Sequence, residues 1–501
     1  MNIANNLDRA AIFFPDRPVV CENGQEISYQ ALKQQSCRVA TGLIALGIKP
    51  GDLVGLCAPN SADWLTFYFG AIRAGAVAVT FSSSLSSDEL ELLSTHAKPR
   101  LIFTMDEKFQ DFESFRQKAG IEKVVSPNGA ISLNGIMELG TNDFRPVERS
   151  RNDTAAILYT GGTTGVPKGV MLTHENINVS SHNVAYSERS TQHDRALCCL
   201  PLNHVFGQIH IMNATIFSCG CLELLPSFDM ELFLDRTASG RVTKLYGVPT
   251  IYTRLMNVTR LKEKLGNVSY CFSAAASMSA ETVRQWKEQT NLTIYEGYGM
   301  TESASAVTYN HYFEHMIGSV GAGVPGVEIQ TRDSKGNVLP LDCEGEICIR
   351  GRNIMKGYLD NPADTQRSFW DQEWFRSGDV GVIDDRGYLF IVDRLKDMII
   401  TGGENVYPRE IEEVLFARPD VQDCAVVGLP DREWGERVSA FVTLNPDHNT
   451  TPEELKAYLK ERLASFKVPK KFVIVEELPR NAAGKILKRE IKRQFSGEKM
   501  E

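Results

Sequence analysis

After the apolar run "AAILY" comes "TGGTTGVPKG", Thr160 to Gly169, with four glycines, three threonines and one lysine. Successive backbone N–H groups freed by a Gly-Gly-Thr-Thr-Gly turn can form an anion nest, threonine hydroxyls add donors, and Lys168 adds a point charge. Phosphate is the ligand such a stretch suits. It is not a P-loop, which needs Gly-Lys followed by Ser or Thr; here Pro167 precedes Lys168 and Gly169 follows it. Taken alone, the stretch also reads as a glycine-rich turn leaving a strand.

Two other matches carry no chemistry. "GAGVPG", Gly321 to Gly326, fits a dinucleotide fingerprint, but it contains Pro325 and precedes the strand-like "VEIQT" where that motif needs a helix. "HYFEH", His311 to His315, has the spacing of some zinc peptidases, but no helical apolar stripe surrounds it. Cys219 and Cys221 lack a partner pair or a histidine at zinc-finger spacing.

The elements that must position any site alternate in type. From Ile27 to about Thr104 helical patterns ("SYQALKQQSCRVATGLIALG", "SADWLTFYFGAIRAG", "SSDELELLSTHA") alternate with strands ("DLVGLCA", "AVAVTF", "RLIFTM"). Alternation resumes from Thr154 to about Tyr309, with "AAILYT" and "TKLYGV" as strands, and short β-like runs follow residue 310. The predicted fold is α/β. A large N-terminal domain, 1–393, has mostly parallel sheets flanked by helices and a β-rich subdomain; a small α+β C-terminal domain, 394–501, follows. In the latter, Thr451 and Glu454 have capping-box spacing.

Composition narrows the classes. Lys and Arg total 54 against 63 acids, a net charge of −9, which argues against nucleic acid as a partner. Charged residues at 8, 9, 16 and 17 break up any secretory leader, and Arg73 with two glycines interrupts the most apolar window, Trp64 to Phe81. Eleven cysteines, mostly in apolar runs, read as reduced core thiols. A cytoplasmic protein without a transmembrane segment is expected.

Five segments in order, "YTGGTTGVPKGVMLTH", "YEGYGMTES", "WFRSGDVG", "DRLKDMIITGGENVYPREIEEVL" and "PRNAAGKILKRE", resemble the motifs of adenylate-forming acyl-CoA synthetases across almost the whole chain. The resemblance implies ATP, Mg²⁺ and coenzyme A acting on a carboxylic acid. It implies ATP contacts from Thr160, Gly161, Gly162, Thr163, Thr164, Gly165 and Lys168, with Tyr298 stacking on adenine beside Ala275. Thr301 would touch phosphate, Glu302 with Thr160 would hold the metal, Asp379 would bind the ribose, and Arg394 would make a second contact to ribose or phosphate. Lys485 would bridge the substrate carboxylate and the α-phosphate.

For the second half-reaction the resemblance implies that the small C-terminal domain is mobile, with a hinge at Lys396 and a thiol channel past Gly402 and Gly403, and with Trp434 near the CoA nucleotide. The acyl pocket would comprise His204, Tyr246, Gly247, Ala275 and Met300, with His204 gating it or assisting thiolation. A structural, hydrogen-bonded histidine is the alternative. These mostly small or apolar residues suit an alkyl chain, hence a fatty acid, and would also suit a ring. An aryl-acid ligase, an enzyme loading a carrier protein, and a silent acyl-nucleotide scaffold are the competing readings. The chain's end soon after Lys485 favours a free acceptor such as CoA, and a homodimer is compatible with everything above.

Overall fold

The computed structural model describes every residue except 161–166, 277, 312–313, 403, 433, 446–447, 481–484 and 496–501. Helices Tyr29–Ala45, Ala62–Arg73 and Ser87–Ala97 alternate with strands Leu53–Cys57, Val77–Thr80 and Leu101–Thr104, as the sequence pattern predicts. Each helix begins where a serine hydroxyl accepts a backbone N–H: Ser28 from Ala31, Ser61 from Trp64, Ser86 from Glu89. Such a cap satisfies a donor that the first turn leaves orphaned and stabilises by about 1 kcal/mol.

Helix Ala62–Arg73 is buried at every position but Asp63. It approaches Tyr29–Ala45 closely at Gly70, where a Cβ would lie 2.3 Å from Val39 Cγ1. Arg73, the charge interrupting the most apolar window, is itself fully buried and forks onto both oxygens of Asp8. A paired charge is tolerable in a core. Among the described residues no helix is long and apolar enough to cross a membrane.

Two large sheets carry the α/β part. In the seven-stranded sheet, Thr154–Thr160, Val77–Thr80, Leu53–Cys57, Leu101–Thr104 and Lys123–Val125 run parallel in that spatial order, and Lys168–Thr173 and Gly357–Tyr358 add antiparallel on one side. In the nine-stranded sheet, Cys221–Leu224, Arg195–Cys198, Lys244–Gly247, Tyr270–Ser273 and Ile294–Met300 are parallel neighbours, and Ser305–Tyr309 pairs antiparallel with the last of these. Beyond it the chain forms the expected β-rich portion. This is a five-stranded antiparallel sheet of Val327–Arg332, Gly345–Gly351, Trp374–Ile383, Phe369–Trp370 and Leu389–Arg394.

The C-terminal segment has its own sheet, built on the hairpin Val421–Asp431 and Gly435–Leu444, and its own core of Ile399, Ile411, Leu415, Val426, Val438, Leu455 and Leu459. Helix Pro452–Lys460 starts with the predicted capping box, Thr451 and Glu454 each accepting the other's backbone N–H. All eleven cysteines are free, and only Cys343 is exposed.

Candidate active site

The parallel strands of the nine-stranded sheet end in one row, Gly247 beside Ser273 beside Glu296. Open parallel sheets bind ligands beyond such carboxyl ends, and the residues expected to bind adenine, metal and acyl group follow from these ends. Tyr298 lies on Ile294–Met300, and its O–H donates to Asp379 Oδ2 at 2.7 Å. Asp379 faces Arg394 across the pair Trp374–Ile383 and Leu389–Arg394, with Arg394 Nε 3.3 Å from Asp379 Oδ1. The sheet register thus brings together the predicted adenine and ribose residues. Burial, then the neighbouring Asp379 carboxylate, holds the Tyr298 phenol well above its usual pKa.

Thr301 and Glu302 form a short 3-10 turn just past Met300. Tyr358 O–H donates to Glu302 Oε1 at 3.0 Å, and the Met355 N–H donates to the Glu302 carbonyl. Burial raises the Glu302 carboxyl pKa, opposed by its hydrogen bonds and by Arg394. A lone carboxylate of hard oxygens suits a Mg²⁺ ion that arrives already liganded by ATP phosphates. Among the described residues no group of three or more His, Cys, Asp or Glu could hold an ion by itself.

Thr160 and Lys168 face each other as the last rung of an antiparallel pair, so the glycine-rich stretch joins two strands, where a P-loop joins a strand to a helix. Gly161, Gly162, Thr163, Thr164 and Gly165 lie outside the described residues. Lys168 Nζ sits 2.8 Å from Asp364 Oδ2 and 4.9 Å from the Tyr358 ring centroid. Hydrogen bonds from Lys168, then Arg367, hold Asp364 down at about 2. Asp364 and Tyr358 escaped the sequence reading; the only trace of them is "GYLDNPAD", a turn that caps the helix Pro362–Arg367 through Asn361.

Lys485, from the C-terminal segment, is delivered into this same place. Burial, then the Arg394 guanidinium, drives its ammonium down to about 7, while Asp379 pulls the other way. Lys396, although exposed, is lowered as well, by partial desolvation and then by the Arg394 charge. His204 is lowered to about 4 by burial and by the charge of Lys485. The His204 Nδ1 accepts the Phe206 N–H at 3.2 Å, which leaves the proton of the neutral ring on Nε2. His204 is therefore arranged as a hydrogen-bond donor and is a poor base for a thiol.

On the acyl side, a Cβ at Gly247 would lie 3.1 Å from the Tyr252 ring, and Ala275 holds φ +70°. Tyr246 directs its hydroxyl away, to Glu188 Oε2 at 2.5 Å, so it presents only its ring to any pocket. Glu188 was not expected from sequence. Its side chain is 1% exposed and takes Lys244 Nζ at 3.0 Å, His210 Nε2 at 3.1 Å and Tyr309 O–H at 2.6 Å. Burial would raise this carboxyl, but Lys244, then His210 and Tyr246, lower it to about 2. Gly402, at φ +61°, lies under Trp434, whose ring carries Lys470 Nζ 3.0 Å from its centroid; Gly403 lies outside the described residues.

Residues 7–359 match the family described as "AMP-binding enzyme", and residues 410–485 match "AMP-binding enzyme C-terminal domain". A feruloyl-CoA synthase of Amycolatopsis sp is 35% identical over 97% of this chain and 98% of its own. A long-chain-fatty-acid–CoA ligase of Mycobacterium tuberculosis is 34% identical over 94% and 93%. The ATP-bound crystal structure of MatB from Rhodopseudomonas palustris superposes with TM-score 0.94 at 36% identity, covering 99% of both chains. The apo structure of that protein gives 0.81. The chain belongs to the AMP-binding enzyme family and is an adenylate-forming acid–CoA ligase.

Proposed function

We propose that the chain joins a carboxylic acid to CoA in two steps, with the residues above in the following roles. In the first, a substrate carboxylate oxygen attacks the α-phosphorus of ATP; the new O–P bond forms as the bond to pyrophosphate breaks. Lys485 lies between the two anions and stabilises the charge that builds on the phosphoryl oxygens. Tyr298 flanks adenine, Asp379 accepts from the ribose hydroxyls with Arg394 beside it, and Thr301, Thr160 and Lys168 contact phosphate. Bound Mg²⁺ would shield the phosphates, held from the protein side by Glu302 with the Thr160 hydroxyl nearby.

In the second step the CoA sulfur attacks the acyl carbon, a C–S bond forms, and AMP leaves with the bonding electrons. The thiol loses its proton to solvent, a fraction being ionised near neutral pH. His204 donates from Nε2 to the acyl oxygen. Residues 1–393 and 394–501 act as two domains hinged at Lys396, and Gly402, Gly403 and Trp434 flank the path of the incoming thiol.

The observation that carries this reading is Lys485. It stands in the C-terminal segment yet is half-buried where the charges of Arg394 and Asp379 act on it and its own charge acts on His204. The greater likeness to ATP-bound than to apo MatB supports the same arrangement. Incubation with MgATP, CoA and a mixed acid panel, read by mass detection of thioesters, tests the activity. Lys485→Ala is expected to cut acid-dependent pyrophosphate exchange by about 10²–10³-fold; unchanged exchange would remove Lys485 from the mechanism.

A further inference from the structure

We infer that the acyl pocket is closed a short distance behind the reacting carboxyl, so that the enzyme's acid is compact and a long alkyl chain is excluded. The inference rests on the acid-activation reading above. Five rings form the closure. Phe206, His210, Tyr246, Phe272 and Tyr309 are each at most 4% exposed. His210 stacks on Phe272 at 4.5 Å between centroids, Phe272 stacks on Tyr309 at 4.7 Å, and Phe206 meets His210 edge-on at 5.0 Å. Tyr246 stands edge-on to His210 at 5.8 Å.

Carbon atoms in contact sit about 3.5–4.0 Å apart, so a methylene chain threaded between two ring faces needs roughly 7–8 Å between them. None of these pairs leaves that room. The closure also begins close to the chemistry. His204, which feels the charge of Lys485, hands its Nδ1 to the N–H of Phe206, the first ring. Residues Phe206–Asn213 are wound as a π-helix, which is uncommon and frequent at functional sites. It places Phe206 and His210 next to each other and against the sheet rung that pairs Tyr246 with Phe272.

The rings cannot easily swing aside. His210 is held at both nitrogens, by Ser305 Oγ at 3.2 Å and Glu188 at 3.1 Å, and Tyr246 and Tyr309 are tied to the same carboxylate. Rotating any of them out would leave a buried charge short of a partner. Their polar atoms are turned to Glu188 and Ser305, so the wall offered to a substrate is aromatic carbon. The fatty-acid expectation narrows to short or ring-shaped tails.

The test is a kcat/KM series for thioester formation with straight-chain acids from acetate to palmitate, and benzoate. Palmitate should fall at least about 100-fold below the best compact acid, since overfilling a packed site costs that much. Phe206→Ala should raise the long-to-short ratio by about 10-fold or more. Phe206→Leu, which keeps most of the volume, should move it less and in the same direction. Palmitate used as well as the best compact acid by the unaltered enzyme overturns the inference while leaving acid activation standing. A long-to-short ratio that neither variant moves overturns it too. Thioester from no acid at any length sinks the acid-activation reading and this inference with it.

Discussion

The two ends of the site use charge in opposite ways. At the nucleotide end the ions are paired provisionally: Lys168 with Asp364, Arg394 with Asp379, and Lys485 held among Arg394, Asp379 and Lys396. Arg394 remains 40% exposed, so water and ligand can reach it. At the acyl end Glu188 has Lys244, His210, Tyr246 and Tyr309 around a side chain 1% exposed. Partners that, on the proposed roles, are exchanged for phosphate in every turnover are left loosely satisfied. A wall that must not move is satisfied completely, and the difference shows in what each end should lose when broken.

The largest loss is expected at the closed end. Glu188→Gln keeps the shape but leaves Lys244, 5% exposed, with Asp194 at 3.7 Å as its one remaining counter-ion among the described residues. Breaking a buried pair from one side costs about 3–5 kcal/mol, read as a lowered denaturant midpoint with an unchanged slope. The corresponding neutralisation at the open end, Asp364→Asn, removes an exchangeable partner of Lys168 and should cost no more than about 1 kcal/mol. Equal losses at both sites would erase the distinction.

pH sharpens the comparison next. Glu188, depressed to about 2 from 4.5, contributes stability that is complete above 4.5 and lost as pH falls through that window. Lys485 is depressed to about 7 from 10.5, so the unfolded chain binds the extra proton between those values. Stability therefore rises with pH from about 7 towards 10.5, whereas in the folded protein the ammonium proposed to act in adenylation is lost as pH rises through about 7. Pyrophosphate-exchange kcat/KM should accordingly fall as pH rises through about 7, a limb that Lys485→Arg should flatten because guanidinium stays charged. A limb left intact in that variant would assign the titration to another group.

The open end was largely legible in the sequence and the closed end was not, for a physical reason. Tyr298, Thr301, Glu302, Asp379 and Arg394 sit in contiguous runs that resemble motifs of the adenylate-forming enzymes, and it is that resemblance which implies phosphate, ribose and metal contacts for them. Strands and helices were equally readable, because caps such as Ser28 and Thr451 and the alternating apolar runs act locally. Glu188 has no such surroundings. Its partners Tyr246 and Tyr309 lie 58 and 121 positions away; Tyr246 was expected only as an acyl-pocket residue, and Tyr309 reads as one more aromatic in a strand. The π-helix is equally silent, since Gly207 matters only because a Cβ there would meet the Pro201 carbonyl oxygen at 2.2 Å. Lys168 had been assigned to phosphate alone; its partner Asp364 emerges only once Gly357–Tyr358 pairs with Lys168–Thr173.

The smallest expected effect lies where the two ends meet. Strand Tyr270–Ser273 carries Phe272 into the ring closure and then turns through Ala275, which holds φ +70° with a side chain. The left-handed region costs a non-glycine residue about 1–2 kcal/mol. Ala275→Gly removes that strain but gives the unfolded chain about 0.4–1 kcal/mol of extra entropy. The two nearly cancel, leaving a stabilisation of about 1 kcal/mol or less, measurable as a small rise in Tm. On the proposed roles, losing the Cβ also thins the wall between adenine and acyl group, so discrimination among compact acids should relax while the exclusion of palmitate persists. That exclusion is set by rings that Ala275 does not hold. A variant that gained palmitate would place the length limit at Ala275 and return the five rings to a purely structural role.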